Sequence, residues 1–172
     1  MPNQLDKKKQ LQEQLEEAKD EFLELLEQIS DQEMDRRWPG EGWTIREELV
    51  HIVQVAKVIP TGIERARMGR KRSLLGFVPA SVRGWVNGNI LIPYLAKKET
   101  RETIARGYQD AHKILIDKLD KLKEDDWEKG MPYPRKYRSV EQMAYRPVEH
   151  LVEHKAHIRA LLEPGNNPPS PE

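Results

Sequence analysis

The sequence has no cysteine. Disulfides, thiolate metal ligands and a cysteine nucleophile are therefore excluded, and any thiol chemistry has to borrow its thiol from a small molecule. Long apolar runs are missing too: nothing approaches the roughly 18 consecutive apolar residues of a membrane-spanning helix. Net charge is likewise absent, because Lys+Arg and Asp+Glu both number 29. No global field then draws the chain onto nucleic acid, and a dedicated nucleic-acid binder is not expected. There is no Gly-rich phosphate loop, no G-x-S-x-G elbow and no nucleic-acid recognition motif. The opening stretch MPNQLDKKKQLQEQLEEAKD is charged and lacks the apolar core of a secretion signal, which fits a cytoplasmic protein.

What is present is amphipathic helix. The 172 residues are 37% apolar and 34% charged, the balance of a helical protein with narrow apolar stripes and solvated outer faces. That length suits a single domain, taken here as 1–163, followed by a tail, PGNNPPSPE (164–172), expected to be disordered. Leu11, Leu15, Ala18, Phe22, Leu25, Leu26 and Ile29 recur at helical spacing and predict a first helix from about Leu5 to Ile29. A turn, WPGEGW, leads to Thr44 and Glu47, a capping box that opens a second helix along Ile45, Leu49, Ile52, Val53, Ala56, Ile59 and Ile63. Thr100 caps a third helix carrying Ile104, Tyr108, Ala111, Leu115, Leu119 and Leu122. Turn residues follow around GMPYPRKYR. Ser139 and Gln142 then make another capping box for a fourth helix to about Leu162, with Pro147 kinking or restarting it one turn before its histidines.

With no strand pattern and no internal repeat, this order predicts an all-α, four-helix bundle. The connection between the second and third helices exceeds 30 residues, so a long crossover replaces a simple hairpin pair. Its first part, Arg65 to Arg83, is basic, with Arg67, Arg70, Lys71 and Arg72. It reads as a solvated loop, or as a surface for a phosphate, a carboxylate or an acidic lipid. The next part, WVNGNILIPYLA, reads as a connection lying over one end of the bundle, with room for a short helix. Trp38, Trp43, Trp85 and Trp127 are expected to bury against helix ends, with Trp85 and Tyr94 as candidates for a pocket mouth.

Chemistry concentrates in the segment EHLVEHKAH. His150, His154 and His157 fall on adjoining helical turns, where residues three or four apart are neighbours. Against the stripe Val140, Ala144, Leu151, Ile158 and Leu162, His150 and His154 lie nearest the interior and His157 toward the rim. His51 sits on the flank of the second helix's stripe, a position suited to a pocket between helices. Two imidazoles from one helix and one from another can hold Zn²⁺, Ni²⁺, Fe²⁺ or Mn²⁺ and leave positions open. The competing reading is a set of partly exposed surface histidines. His157 has an orienting or acid–base role as its candidate function, and His112, alone on the third helix, a structural one.

Three stretches together resemble the DinB-like superfamily, the damage-inducible four-helix proteins related to YfiT-type and mycothiol-dependent enzymes. They are LLEQISDQEMDRRWPGEGWTIREELVHIV, with a histidine eight residues after a tryptophan, LIDKLDKLKEDDWEKG, and VEHLVEHKAHIRALL with its H-x-x-x-H and trailing I-R. The resemblance implies an up-down-down-up bundle, often dimeric, and a divalent metal, Zn or Ni, on His51, His150 and His154. It also implies a small-molecule substrate, with a low-molecular-weight thiol as a cosubstrate in some members. Where the family often has an acidic residue shortly after the helix-two histidine, this chain has Gln54 and Lys57. The expectation is a metal-dependent enzyme of transferase or hydrolase type. The alternative is a non-catalytic, stress-related dimer that binds a metal or small molecule.

Overall fold

The computed structural model describes residues 4–37, 42–69, 82, 84, 86–133 and 136–163. Four long helices are α1 (Gln4–Gln28), α2 (Ile45–Arg67), α4 (Arg101–Asp120) and α6 (Arg146–Leu162). Between α2 and α4 the chain makes one π-helical turn, Asn87–Leu91, and a short helix α3 (Ile92–Ala96). Between α4 and α6 lie β1 (Gly130–Tyr133), β2 (Lys136–Ser139) and α5 (Val140–Ala144). Trp38, residues 39–41 of the turn before α2, Arg70, Lys71, Arg72, Arg83, Trp85 and the 164–172 tail lie outside the described residues.

The local signals act where the sequence places them. Thr44 and Glu47 form the capping box of α2, and Ser139 and Gln142 that of α5. Thr100 caps α4 with Thr103 as its reciprocal partner. Each pair satisfies amide groups at a helix start that have no partner within the helix.

Contacts between side chains and across close approaches fix the directions of the four long helices. Gln12 of α1 reaches Asp120 at the end of α4, while Arg101 at the start of α4 donates to the carbonyl of Leu26, so α1 and α4 are antiparallel. Lys118 of α4 pairs with Glu64 of α2, and Gly107 of α4 faces Val53, so those two helices are parallel. A Cβ at Gly107 would stand 3.1 Å from Val53 Cγ1, and the missing side chain lets the helices close on each other. Met143 of α5 lies against Gly62, while His154 of α6 meets Glu48, so the α5–α6 arm runs antiparallel to α2. Lys7 pairs with Glu141 and Lys155 with Glu21, which sets α1 parallel to that arm. The bundle is therefore up-down-down-up. Both α1 and α2 pack against α4 and α6 and stand across the bundle from each other.

One structural feature differs from the sequence reading. The GMPYPRKYR segment, read as turns, forms an antiparallel hairpin pairing Gly130 with Ser139 and Met131 with Arg138. Gly130 is required there, because a Cβ would collide with the Arg138 carbonyl oxygen and the Tyr137 ring. Of the kink or restart expected at Pro147, the structure has the restart: α5 and α6 are joined at Tyr145, with Pro147 in the first turn of α6, where its missing amide proton costs nothing.

The core has two parts. One joins Leu11, Leu15, Ile59, Ile63, Leu115, Leu119, Val140 and Met143, with Trp127 closing the end. The other joins Phe22, Leu49, Ile52, Tyr108, Leu151 and Ile158, on the side of the bundle where the histidines of α2 and α6 meet. Phe22 stacks on Tyr108 at 4.1 Å between ring centroids and is fully buried. No described helix is long and apolar enough to cross a membrane. Phe22→Ala should cost about 3–5 kcal/mol of stability, typical of a buried aromatic truncated to alanine. Urea unfolding followed by circular dichroism will measure it, and a loss below about 1 kcal/mol would contradict the packing described.

Candidate metal centre

Burying Ile45, Leu49 and Ile52 turns α2 so that His51 faces α6 from the edge of the stripe, half-buried. The restart at Tyr145 aligns α6 so that His150 and His154, one turn apart, face back toward α2. The three rings converge. Centroids lie 4.8 Å apart for His51 and His150, 5.1 Å for His51 and His154, and 4.4 Å for His150 and His154. One nitrogen from each lies within 4.8 Å of the other two, so the group can hold a metal ion.

Two nitrogens in this cluster, Nδ1 of His51 and Nε2 of His150, are buried with no hydrogen-bond partner among the described residues. An imidazole nitrogen buried without a partner is costly. A divalent ion bound by neutral imidazoles would satisfy both, and three such ligands suit several first-row ions. The residues present fit the group. Trp43 walls the cluster, its ring 4.6 Å from that of His51 and 6.4 Å from that of His154. Its indole N–H donates to the Gly88 carbonyl oxygen at 2.7 Å. The crossover thereby holds the wall in place.

The sequence reading missed Glu48. It is only 2% exposed, and its carboxylate meets Nδ1 of His154 at 2.9 Å through Oε2 and Nδ1 of His157 through Oε1. The positions shortly after His51 hold Gln54 and Lys57, whereas this carboxylate stands three residues before it, one helical turn away. His157 is not in the three-ring group; it is 41% exposed and touches Glu48 from the rim. Nδ1 of His150 has two neighbours, Arg146 Nη2 at 2.8 Å and Glu153 Oε2 at 3.2 Å. Arg146 also pairs with Glu153 at 2.8 Å.

Other candidates lie elsewhere. His112 is buried on α4 and bonded to Glu16 at 2.8 Å, a helix-to-helix tie rather than a ligand. Of the basic stretch, Arg67 pairs with Glu64 at 2.6 Å, and Arg65 lines a cleft with Met68, Ile114 and Lys118. Tyr94 is exposed, with Lys98 over its ring at 5.3 Å. Trp127 is buried, as expected.

Burial favours the neutral form of two of the three rings, His51 and His150. Loss of solvation pushes the pKa of His51 down to about 3, with help from the charges of His150, His154 and Arg146. Desolvation, then His154, takes that of His150 down to about 4, although Glu153 opposes the shift. Neutral rings are the form that ligates metal.

A four-helix frame with three imidazoles meeting between its second and last long helices defines a class, the bundles that place a metal site on facing helices. The chain belongs to the DinB superfamily, whose family pattern matches residues 14–158. Among solved structures it is similar to YfiT from Bacillus subtilis, with 18% identity and a TM-score of 0.72. The match covers 94% of this chain and 88% of that one. YfiT is described as a probable metal-dependent hydrolase with an unusual four-helix bundle topology. No curated protein sequence matches the chain.

The depressed pKa values set a pH dependence for the metal-free protein. An unfolded histidine titrates near 6.5, so between that value and about 4 and 3 the unfolded chain binds more protons at His51 and His150 than the folded chain does. The stability from these neutral rings is whole above about pH 6.5 and is lost as the pH falls toward the folded values. Urea midpoints should therefore drop more steeply between pH 7.5 and 4.5 in wild type than in a His51→Asn/His150→Asn variant. Parallel curves would refute the assignment.

Proposed function

We propose that the protein is a metal-dependent enzyme whose divalent ion, Zn or Ni by family resemblance, is held by His51, His150 and His154. The observation that carries this reading is the convergence of three rings, two of them with a buried nitrogen that no described residue hydrogen-bonds. Bound there, such an ion supplies Lewis acidity, polarising an electrophilic substrate or bringing a water or a small-molecule thiol to its anionic form near neutral pH.

The chain's own residues supply the rest. Three histidine ligands leave coordination positions open for the reactants. Trp43 shields one side of the cluster and limits water there. His157, at the rim and oriented by Glu48, is placed for acid–base assistance, much as a carboxylate orients the histidine of a catalytic triad. The absence of cysteine means that a thiol reactant would come from a low-molecular-weight cosubstrate. The substrate is a small electrophilic molecule, and the reaction is hydrolysis or thiol transfer.

A homodimer in the cytoplasm completes the proposal. Support for self-association comes from Met68 at the end of α2 and Ile114 on the neighbouring α4, both more than half exposed beside the same cleft. Sedimentation velocity should show a dimer that Ile114→Asp makes monomeric. A monomeric wild type would reject that part.

The central test is metal content. Protein purified without a histidine tag should carry a stoichiometric divalent ion, and His154→Ala should lose it. Equal metal in both would remove the proposed site. Loaded wild type should then turn over an ester, amide or activated electrophile from a panel run with and without small thiols. Metal retained with no turnover on any of them would favour the non-catalytic binding dimer instead.

A further inference from the structure

We infer that Glu48 is a positioning residue of this centre: its two carboxylate oxygens fix the Nδ1–H tautomer of His154 and His157, so that His154 offers Nε2 to a metal ion. The inference rests on the three-histidine reading above and deepens it. An ionised carboxylate only accepts hydrogen bonds. With Oε2 at 2.9 Å from Nδ1 of His154 and Oε1 bonded to Nδ1 of His157, both Nδ1 atoms carry the proton and donate. In a neutral imidazole the other nitrogen then holds the lone pair. Nε2 of His154 is thus free to ligate before any ion arrives.

The simpler account of Glu48 is an acidic residue in the first turn of α2, favourable to the helix dipole. Burial argues against that account. Glu47 already serves the helix start through the capping box, whereas Glu48 is sunk to 2% exposure behind α6. A carboxylate taken that far from water needs hydrogen-bond partners, and both of those found are histidines of α6. The arrangement is a carboxylate–histidine pair behind a metal site, which orients the ring and raises its basicity.

His150 is governed differently, and the contrast sharpens the role of Glu48. Arg146 can only donate to Nδ1 of His150, and Glu153 can only accept from it, so the two neighbours demand opposite tautomers. Only the tautomer donating to Glu153 frees the buried Nε2. An ion must select that form at His150, whereas at His154 Glu48 has already selected it. His154 is therefore the half of the α6 pair that is set in advance, by Glu48 of α2.

Two measurements on the full chain test this. The first is Zn²⁺ affinity by competition with a chromophoric chelator. The second is the tautomer of His154 in metal-free protein, read from long-range nitrogen–proton NMR correlations. Glu48→Gln should weaken Zn²⁺ binding on the order of ten- to hundredfold, the usual cost of losing such a partner. It should also erase the uniform Nδ1–H signature of His154, because an amide offers one acceptor where the carboxylate offers two. His157→Ala should leave that signature intact. Should Glu48→Gln fail to fold, Glu48→Asp, which keeps the charge but retracts the oxygens, should show the same two losses. Wild-type affinity together with an unchanged His154 signature in the folded variant would overturn the role. A wild type that binds no Zn²⁺ yet loses the signature on Glu48→Gln would sink the metal reading and leave the orientation of His154 standing.

Discussion

The antiparallel contact between α2 and α6 is the constraint on which the rest depends. It sets residue 51 opposite residues 150 and 154, and residue 48 opposite 154 and 157, so the three-ring cluster and the buried carboxylate come from the same interface. The contact exists because α1 and α2, although consecutive, stand across the bundle from each other. A simple up-and-down order would make α1 and α2 neighbours. Here the space beside α2 goes to α4 and α6, and the price is the long crossover that returns the chain to the same end before α4.

Polarity at this interface is concentrated and paired. Glu48 is nearly dry and bonded twice, while Arg146 and Glu153 neutralise each other beside His150. Loss of water, not a neighbouring acid, lowers the pKa of His51 and His150 between them. Such a pocket is poor at holding protons and well suited to a cation that imidazole nitrogens can bind directly. Neutral rings at ordinary pH also spare the bundle from burying like charges next to Phe22, Leu151 and Ile158.

Much of this was legible in the sequence, for reasons that are local. Period-3.6 stripes and capping boxes depend on residues within a turn of each other, so Thr44 with Glu47 and Ser139 with Gln142 could be read directly. The ladder in EHLVEHKAH is equally local, and His51 stood out by its place on the flank of a stripe. The hairpin at Gly130–Ser139 was not legible: its strands are four residues each, the first interrupted by Pro132, and their register is decided by pairing rather than pattern. Glu48 was hidden for a related reason. In REELVHIV it reads as one of two ordinary first-turn acids, and only the docking of α6 separates the buried one from the capping one. His112 likewise gave no sign that Glu16, far away in the chain, would be its partner.

Trp43 has a consequence of another kind. Its indole is clamped by the Gly88 carbonyl and stacks nearly parallel to His154, 18° between ring planes, with His51 closer still. Of the two described tryptophans, Trp43 and Trp127, it is therefore the one that faces the cluster. An open-shell ion such as Ni²⁺ lodged among those rings would drain its excited state, whereas closed-shell Zn²⁺ would leave it emitting. Emission from Trp43 would then tell one kind of ion from the other.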